Sequence, residues 1–121
     1  MSQPVQHHAI NYIEFSTSDI AKTRAFYERV FSWSFQEWGP EYISFDKDHA
    51  GIDGGFRKGE PQQSQGEAAP LIVIYSQDLK ATQDAITAAG GSIVVPTFDF
   101  PGGKRFHFSD EQGNVLAVWS E

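Results

Sequence analysis

The stretch YIEFSTSDI at residues 12–20 returns, changed in detail but not in order, as LIVIYSQDL at residues 71–79. Asp78 stands for Asp19, Leu79 for Ile20 and Thr82 for Thr23. A self-similar unit of this length is one supersecondary motif, and a motif that cannot bury its apolar side alone does so against a second copy. At 121 residues the chain has room for two such units and one core.

Each unit reads the same way. From Ile10, INYIEFSTSD alternates as a strand does, with Tyr12 and Glu14 on one face and Ile13 and Phe15 on the other. Ser18 or Asp19 can accept the free amide protons of a helix start, and Ile20, Thr23, Tyr27, Val30 and Phe31 then recur at helical spacing. This predicts a helix from Asp19 to Phe31, laid on the Ile13/Phe15 side. SFQEW, EYISFD and GIDGGFR follow as three short strands, separated by turn-formers at Gly39-Pro40 and from Asp48 to Gly51. Residues 57–70, RKGEPQQSQGEAAP, lose apolar periodicity and read as a linker.

Beyond it, the second unit has a helix through Ala89 closed by Gly90-Gly91, then the strands SIVVPTFDF, KRFHFSD and NVLAVWSE. Matching the turn SDEQGN to DKDHAG pairs Phe108 with Phe45 and Trp119 with Phe56. The expectation is one α+β domain over residues 1–121, built from a βαβββ module at 9–56, the linker at 57–70 and a second module at 71–121.

Composition narrows the partners. A formal charge of -7 disfavours nucleic acid and anionic lipid, which need clustered cations, and weakly favours a neutral or cationic ligand. There is no cysteine, so disulfides, thiolate metal sites and cysteine nucleophiles are excluded. The opening MSQPVQHHAI is too polar for a signal peptide and no long apolar run follows, so a cytoplasmic protein without a membrane partner is expected.

STSDIAKTRAFYERVFSW, SQDLKATQDAITAAGG and the closing FPGGKRFHFSDEQGNVLAVWSE together resemble the vicinal oxygen chelate superfamily of glyoxalases, bleomycin resistance proteins and extradiol dioxygenases, in its lactoylglutathione-lyase-related branch. The resemblance implies paired modules curled into an incomplete barrel of mixed sheet with helices outside, a small-molecule site on the concave side, and a homodimer. It also implies where metal-dependent members hold a divalent ion: on the first strand of each half and the last strand of one or both. Those positions map to Tyr12, to the run Ala69, Pro70 and Leu71, to Gly54 and to Ala117. Only Tyr12 has a side-chain donor, whereas such an ion takes three or four. No metal and no cofactor are therefore expected. His7 and His8 lie near the terminus and His49 in a turn, without a common rigid element.

Alternation points Tyr12 and Glu14 into the cup, and places Arg105 and His107 together on one face of KRFHFSD with Phe106 and Phe108 on the other. The expected ligand-binding set is Tyr12, Glu14, Phe56, Arg105, His107 and Trp119, with Glu14 and His107 as candidate catalytic acid and base. A structural role stands beside this one: Glu14 paired with Arg105 or bonded to Tyr12, and His107 held by a hydrogen bond. Phe56 and Trp119 are expected as aromatic walls, Trp33 as helix-end packing, and Pro101 with its two glycines as a turn at the cup mouth. The functional expectation is a glyoxalase/bleomycin-resistance-like protein that binds a small organic molecule without a catalytic metal. The alternatives are a metal-independent isomerase, lyase or hydrolase and, after it, a metal-dependent lactoylglutathione lyase or dioxygenase.

Overall fold

Asp19 and Asp78 each end an extended segment and start a helix: the Asp19 side chain accepts from the Lys22 amide and the Asp78 side chain from the Ala81 amide. Around these two caps a computed structural model, described for residues 7–60 and 69–121, shows the two expected modules. The first is β1 (Tyr12–Thr17), α1 (Ile20–Phe31), β2 (Phe35–Glu37), β3 (Tyr42–Phe45), α2 (Lys47–Ala50) and β4 (Asp53–Lys58). The second is β5 (Ile72–Tyr75), α3 (Leu79–Ala88), β6 (Ser92–Phe100), β7 (Gly103–Ser109) and β8 (Val115–Ser120). Each module forms its own four-stranded mixed sheet, in the orders β1-β4-β3-β2 and β5-β8-β7-β6, and neither closes into a barrel. The first strand of each pairs in parallel with the last, and the other pairs are antiparallel.

Three details depart from the sequence reading. Strand β4 continues through Arg57 and Lys58, so these two residues belong to the sheet and not to the linker, whose residues 61–68 lie outside the described part. The DKDHA turn contains the short helix α2, capped by Asp46 and stopped by Gly51 at φ 89°. The third is register. Phe108 does match Phe45, since they stand opposite Leu116 and Gly54, but Phe56 lies beside Phe15 and Val118 beside Ile74. Val118 is therefore the counterpart of Phe56, and Trp119 that of Arg57, because the turn before β8 is one residue shorter. A one-residue offset in a strand exchanges its two faces.

The helix sides of both sheets meet in one core. Ile43, Phe45 and Phe56 of the first sheet and Phe106, Phe108, Leu116 and Val118 of the second join Phe26 and Tyr27 of α1 and Ile86 of α3 in a single buried cluster. Phe26 and Phe31 of α1 stack across the module boundary on Phe108, with ring centroids 6.2 and 6.0 Å apart. Each such side chain contributes about 2 kcal/mol through burial.

A polar link lies inside this apolar contact. The Tyr27 hydroxyl donates to Asp110 Oδ2 at 3.0 Å. Asn114 Nδ2 donates to the same oxygen and to the Ser16 carbonyl, both at 3.1 Å. The amides of Gln112 and Asn114 donate to Asp110 Oδ1 at 2.9 Å. Burial raises the Asp110 carboxyl above its ordinary value against the pull of these donors, and burial beside Asp110 pushes the Tyr27 hydroxyl up. Because both helix sides face this shared core, the other face of each sheet points outward. Among the described residues no helix is long and apolar enough to cross a membrane.

Asp110→Ala strands the Tyr27 hydroxyl and the Asn114 amide groups in the core, and is expected to cost about 3 kcal/mol. Lys80→Ala, at an exposed pair with Asp84, is expected to cost under about 0.5 kcal/mol. Urea unfolding of the two variants checks the contrast; equal losses would contradict the assignment.

Candidate functional site

On the outward face of the first sheet, β1 contributes Tyr12 and Glu14, β3 Tyr42 and Ser44, and β4 Arg57. Glu14 accepts from the Tyr42 hydroxyl at 3.1 Å and pairs with Arg57 Nε at 3.2 Å, while the Tyr12 and Tyr42 hydroxyls bond at 2.6 Å. Burial first, then the bonds to Tyr12 and Glu14, push the Tyr42 hydroxyl well above the usual tyrosine range. Trp38 Nε1 donates to Ser44 Oγ at 2.9 Å and closes one side of a recess of about 420 Å³. This face is a satisfied hydrogen-bond network with its one arginine neutralised.

The outward face of the second sheet is more aromatic. Val73 and Tyr75 of β5, Phe98 and Phe100 of β6, Arg105 and His107 of β7 and Trp119 of β8 share it. The Arg105 guanidinium carbon lies 5.3 Å from the Phe98 ring centre and 5.5 Å from that of Phe100. Trp119 meets Tyr75 edge-on at 5.1 Å and Phe100 at 6.2 Å. Val73, Phe100, Pro101, Gly102, Arg105 and Trp119 enclose a recess of about 340 Å³. Arg105 Nε and His107 Nε2 are buried without a hydrogen-bond partner among the described residues. Burial, and then the charge of Arg105, hold His107 below its usual pKa and hence neutral at neutral pH.

The expected site residues thus divide. Arg105, His107 and Trp119 come together on the second sheet, and Tyr12 and Glu14 on the first. Glu14 and His107 stand on different sheets and are not paired with each other among the described residues. Glu14 pairs with Arg57 instead of Arg105, and is bonded to Tyr42, with Tyr12 one step further out. Phe56 is corrected: it is fully buried under α1, stacked on Phe15 at 4.9 Å, and cannot line an outward face. Trp33 packs in the core against Phe45 and Tyr27, as helix-end packing requires. His49 pairs with Asp46 at 2.9 Å, and His7 and His8 stack on each other.

Tyr42, Arg57, Tyr75, Phe98 and Phe100 belong to these faces and were not singled out from sequence. Alternation in EYISF could have found Tyr42; Arg57 was concealed by the polar run that follows it.

The positions implied for a metal can now be placed by register. Glu14 stands beside Gly55, as Val73 stands beside Ala117, so the first module's position on its last strand is Gly55 and not Gly54. A side chain at Gly55 would collide with the Tyr42 hydroxyl. Tyr12, Leu71, Gly55 and Ala117 offer one phenol and no carboxylate, imidazole or amide. Among the described residues no three His, Cys, Asp or Glu side chains gather. This donor set does not fit a resident divalent ion.

A model of the Glyoxalase/Bleomycin resistance protein/Dioxygenase superfamily matches residues 9–118. No curated protein matches the sequence. Similar solved structures include a glyoxalase/bleomycin resistance protein/dioxygenase family enzyme from Burkholderia phytofirmans PsJN, with TM-score 0.76 and 18% identity over 91% of this chain and 96% of that one. The fosfomycin resistance protein FosX from Listeria monocytogenes aligns with TM-score 0.79 and 18% identity over 96% and 93% of the two chains. TioX from Micromonospora sp. ML1 aligns with TM-score 0.68 and 20% identity over 93% and 98%. Likeness at such low identity carries the fold alone.

The first face yields a titration test. Tyr42 is expected to remain protonated at about pH 10, where an unperturbed tyrosine is half ionised. Glu14→Ala removes an acceptor that stabilises the neutral phenol, so Tyr42 should then ionise at lower pH. Carbon-13 NMR of labelled tyrosine reads both; an ordinary Tyr42 titration in the unsubstituted protein would contradict the network.

Proposed function

The chain belongs to the Glyoxalase/Bleomycin resistance protein/Dioxygenase superfamily, and on that premise we propose that it binds a small organic molecule directly through side chains of its concave sheet faces, without a catalytic metal. One observation carries the reading. The positions implied for metal ligands are Tyr12, Leu71, Gly55 and Ala117, while the same faces present aromatic rings around open recesses. The FosX relative has been crystallised, as an E126Q mutant, with Mn(II) and 1S,2S-dihydroxypropylphosphonic acid. Here the ligand contacts pass to the protein's own groups: flat surfaces at Trp119 and Phe100, and polar groups at Arg105 and His107. A few convergent polar groups in an apolar recess are the usual composition of a small-molecule site.

A second copy completes the cup in this reading. The two outward faces belong to separate sheets, and β1 and β5 each form an outer edge of their sheets. The faces expose large apolar or aromatic side chains: Tyr12, Val73, Tyr75 and Phe98 are 44%, 43%, 48% and 37% exposed. Apposing the first face of one copy to the second face of another covers these groups and the free edges together. Acid–base chemistry between Glu14 and His107, the alternative function, would require the same apposition. It is favoured only by the unpartnered Nε2 of a neutral His107.

A thermal-shift screen of small organic molecules in EDTA tests the reading. A ligand at a hundredfold its Kd should add about 2.7 kcal/mol of stability, a shift of several degrees, and Trp119→Ala should abolish most of it. Shifts that appear only with added metal would overturn the proposal. Light scattering should give twice the chain mass; a monomer at the concentration of ligand binding would remove the shared cup. Turnover of a bound carbonyl or epoxide compound, lost in Glu14→Gln, would move the conclusion to the enzyme.

A further inference from the structure

The two outward faces treat their arginines differently, and register explains why. On the first sheet Arg57 is neutralised by Glu14, 3.2 Å away. The position equivalent to Glu14 on the second sheet is Val73, since Glu14 lies beside Gly55 and Val73 beside Ala117. The second face carries a guanidinium, Arg105, at the position equivalent to Tyr42, which Glu14 also meets on the first face, and has valine where the carboxylate would stand. Acidic groups at the ends of this sheet are engaged elsewhere: Asp99 pairs with Lys104 at 3.0 Å, and Glu121 accepts from the Tyr75 hydroxyl at 2.8 Å. Among the described residues Arg105 forms no ion pair.

Arg105 is also held in place. Its guanidinium sits 5.3 and 5.5 Å from the ring centres of Phe98 and Phe100, and its Nε is buried without a partner, as is the neighbouring His107 Nε2. The buried Nε gives up its water without a hydrogen bond in return among the described residues, and ring faces restore only part of that loss. The missing component is an oxyanion. A guanidinium fork donates two parallel bonds to a carboxylate, a geometry that an ammonium does not reproduce. Beside it, Trp119 and Phe100 line a recess of about 340 Å³ into which a planar body fits.

We propose that the second-sheet recess is an anion subsite, in which Arg105 takes the carboxylate of an organic ligand whose flat apolar body lies against Trp119 and Phe100. This rests on the metal-free binding reading and names its ligand class. The chain's overall charge of -7 repels anions at long range, so selection is made at contact, by the one uncompensated guanidinium of this face.

Calorimetric titration in EDTA with three isosteric probes tests it: 2-naphthoate, 2-naphthamide and 2-naphthylmethylammonium. The unsubstituted protein is expected to bind naphthoate about tenfold or more tightly than the amide, and the ammonium least well. R105M should bring naphthoate and naphthamide to equal affinity, R105K should keep part of the preference, and K104M, on the opposite face of β7, should keep all of it. Circular dichroism confirms that each variant is folded, and R105K alone decides if R105M is not. Equal binding of acid and amide by the unsubstituted protein, or a preference that survives R105M, would overturn the anion subsite and leave metal-free binding standing. If no probe binds until a divalent metal is added, the broader reading fails and the subsite falls with it.

Discussion

Everything in this molecule follows from the packing of α1 against the second module. Phe26 and Phe31 cross the boundary to Phe108, and Tyr27 reaches through the same contact to Asp110, which Asn114 ties back to the Ser16 carbonyl. The aromatic part is non-directional and only brings the modules together. The polar part sets their orientation, because each buried donor has one place where it is satisfied. With the helix sides of both sheets committed to one core, the other faces point outward. The dimer proposed above rests on this outward placement of the two faces and not on surface charge.

The two modules share a frame and differ in chemistry. Thr17 bonds to Thr23 at 2.7 Å where Ser76 bonds to Thr82 at 2.8 Å, so the passage from strand to helix is built the same way twice. On the concave faces the equivalent positions diverge: Glu14 against Val73, Tyr42 against Arg105, and Arg57 against Trp119. On the first face Glu14 and Arg57 pair with each other, and Glu14 also bonds to Tyr42. On the second face Arg105 forms no ion pair among the described residues and lies beside the rings of Phe98 and Phe100. The glycine at Gly55 belongs to the first arrangement, because a side chain there would occupy the place of the Tyr42 hydroxyl.

Sequence revealed the repeat, the two capping aspartates, the helix side of each sheet, and the sharing of one face by Arg105 and His107, since all of these are set by local periodicity. It misplaced Phe56, because the shorter turn before β8 moves the register by one residue and periodicity inside a strand does not report the length of the turn before it. Arg57 falls where the strand GIDGGFR and the linker run 57–70 overlap, since β4 ends in polar residues whose pairing with β1 and β3 is a tertiary fact. The separation of Glu14 from His107 was likewise hidden: alternation gives the face of a residue, but only the shared core gives the direction in which that face looks.

The donors on the outward faces decide whether a ligand is held there through side chains or through an ion. Tyr12, Leu71, Gly55 and Ala117 supply too few donors for a divalent cation, which takes three or four protein ligands in sites of this kind. Calorimetric titration of EDTA-stripped protein with Mn(II), Ni(II) and Zn(II) puts this to the most direct test. The result expected is no saturable binding at one ion per cup. Stoichiometric uptake that is lost in Tyr12→Phe would contradict it.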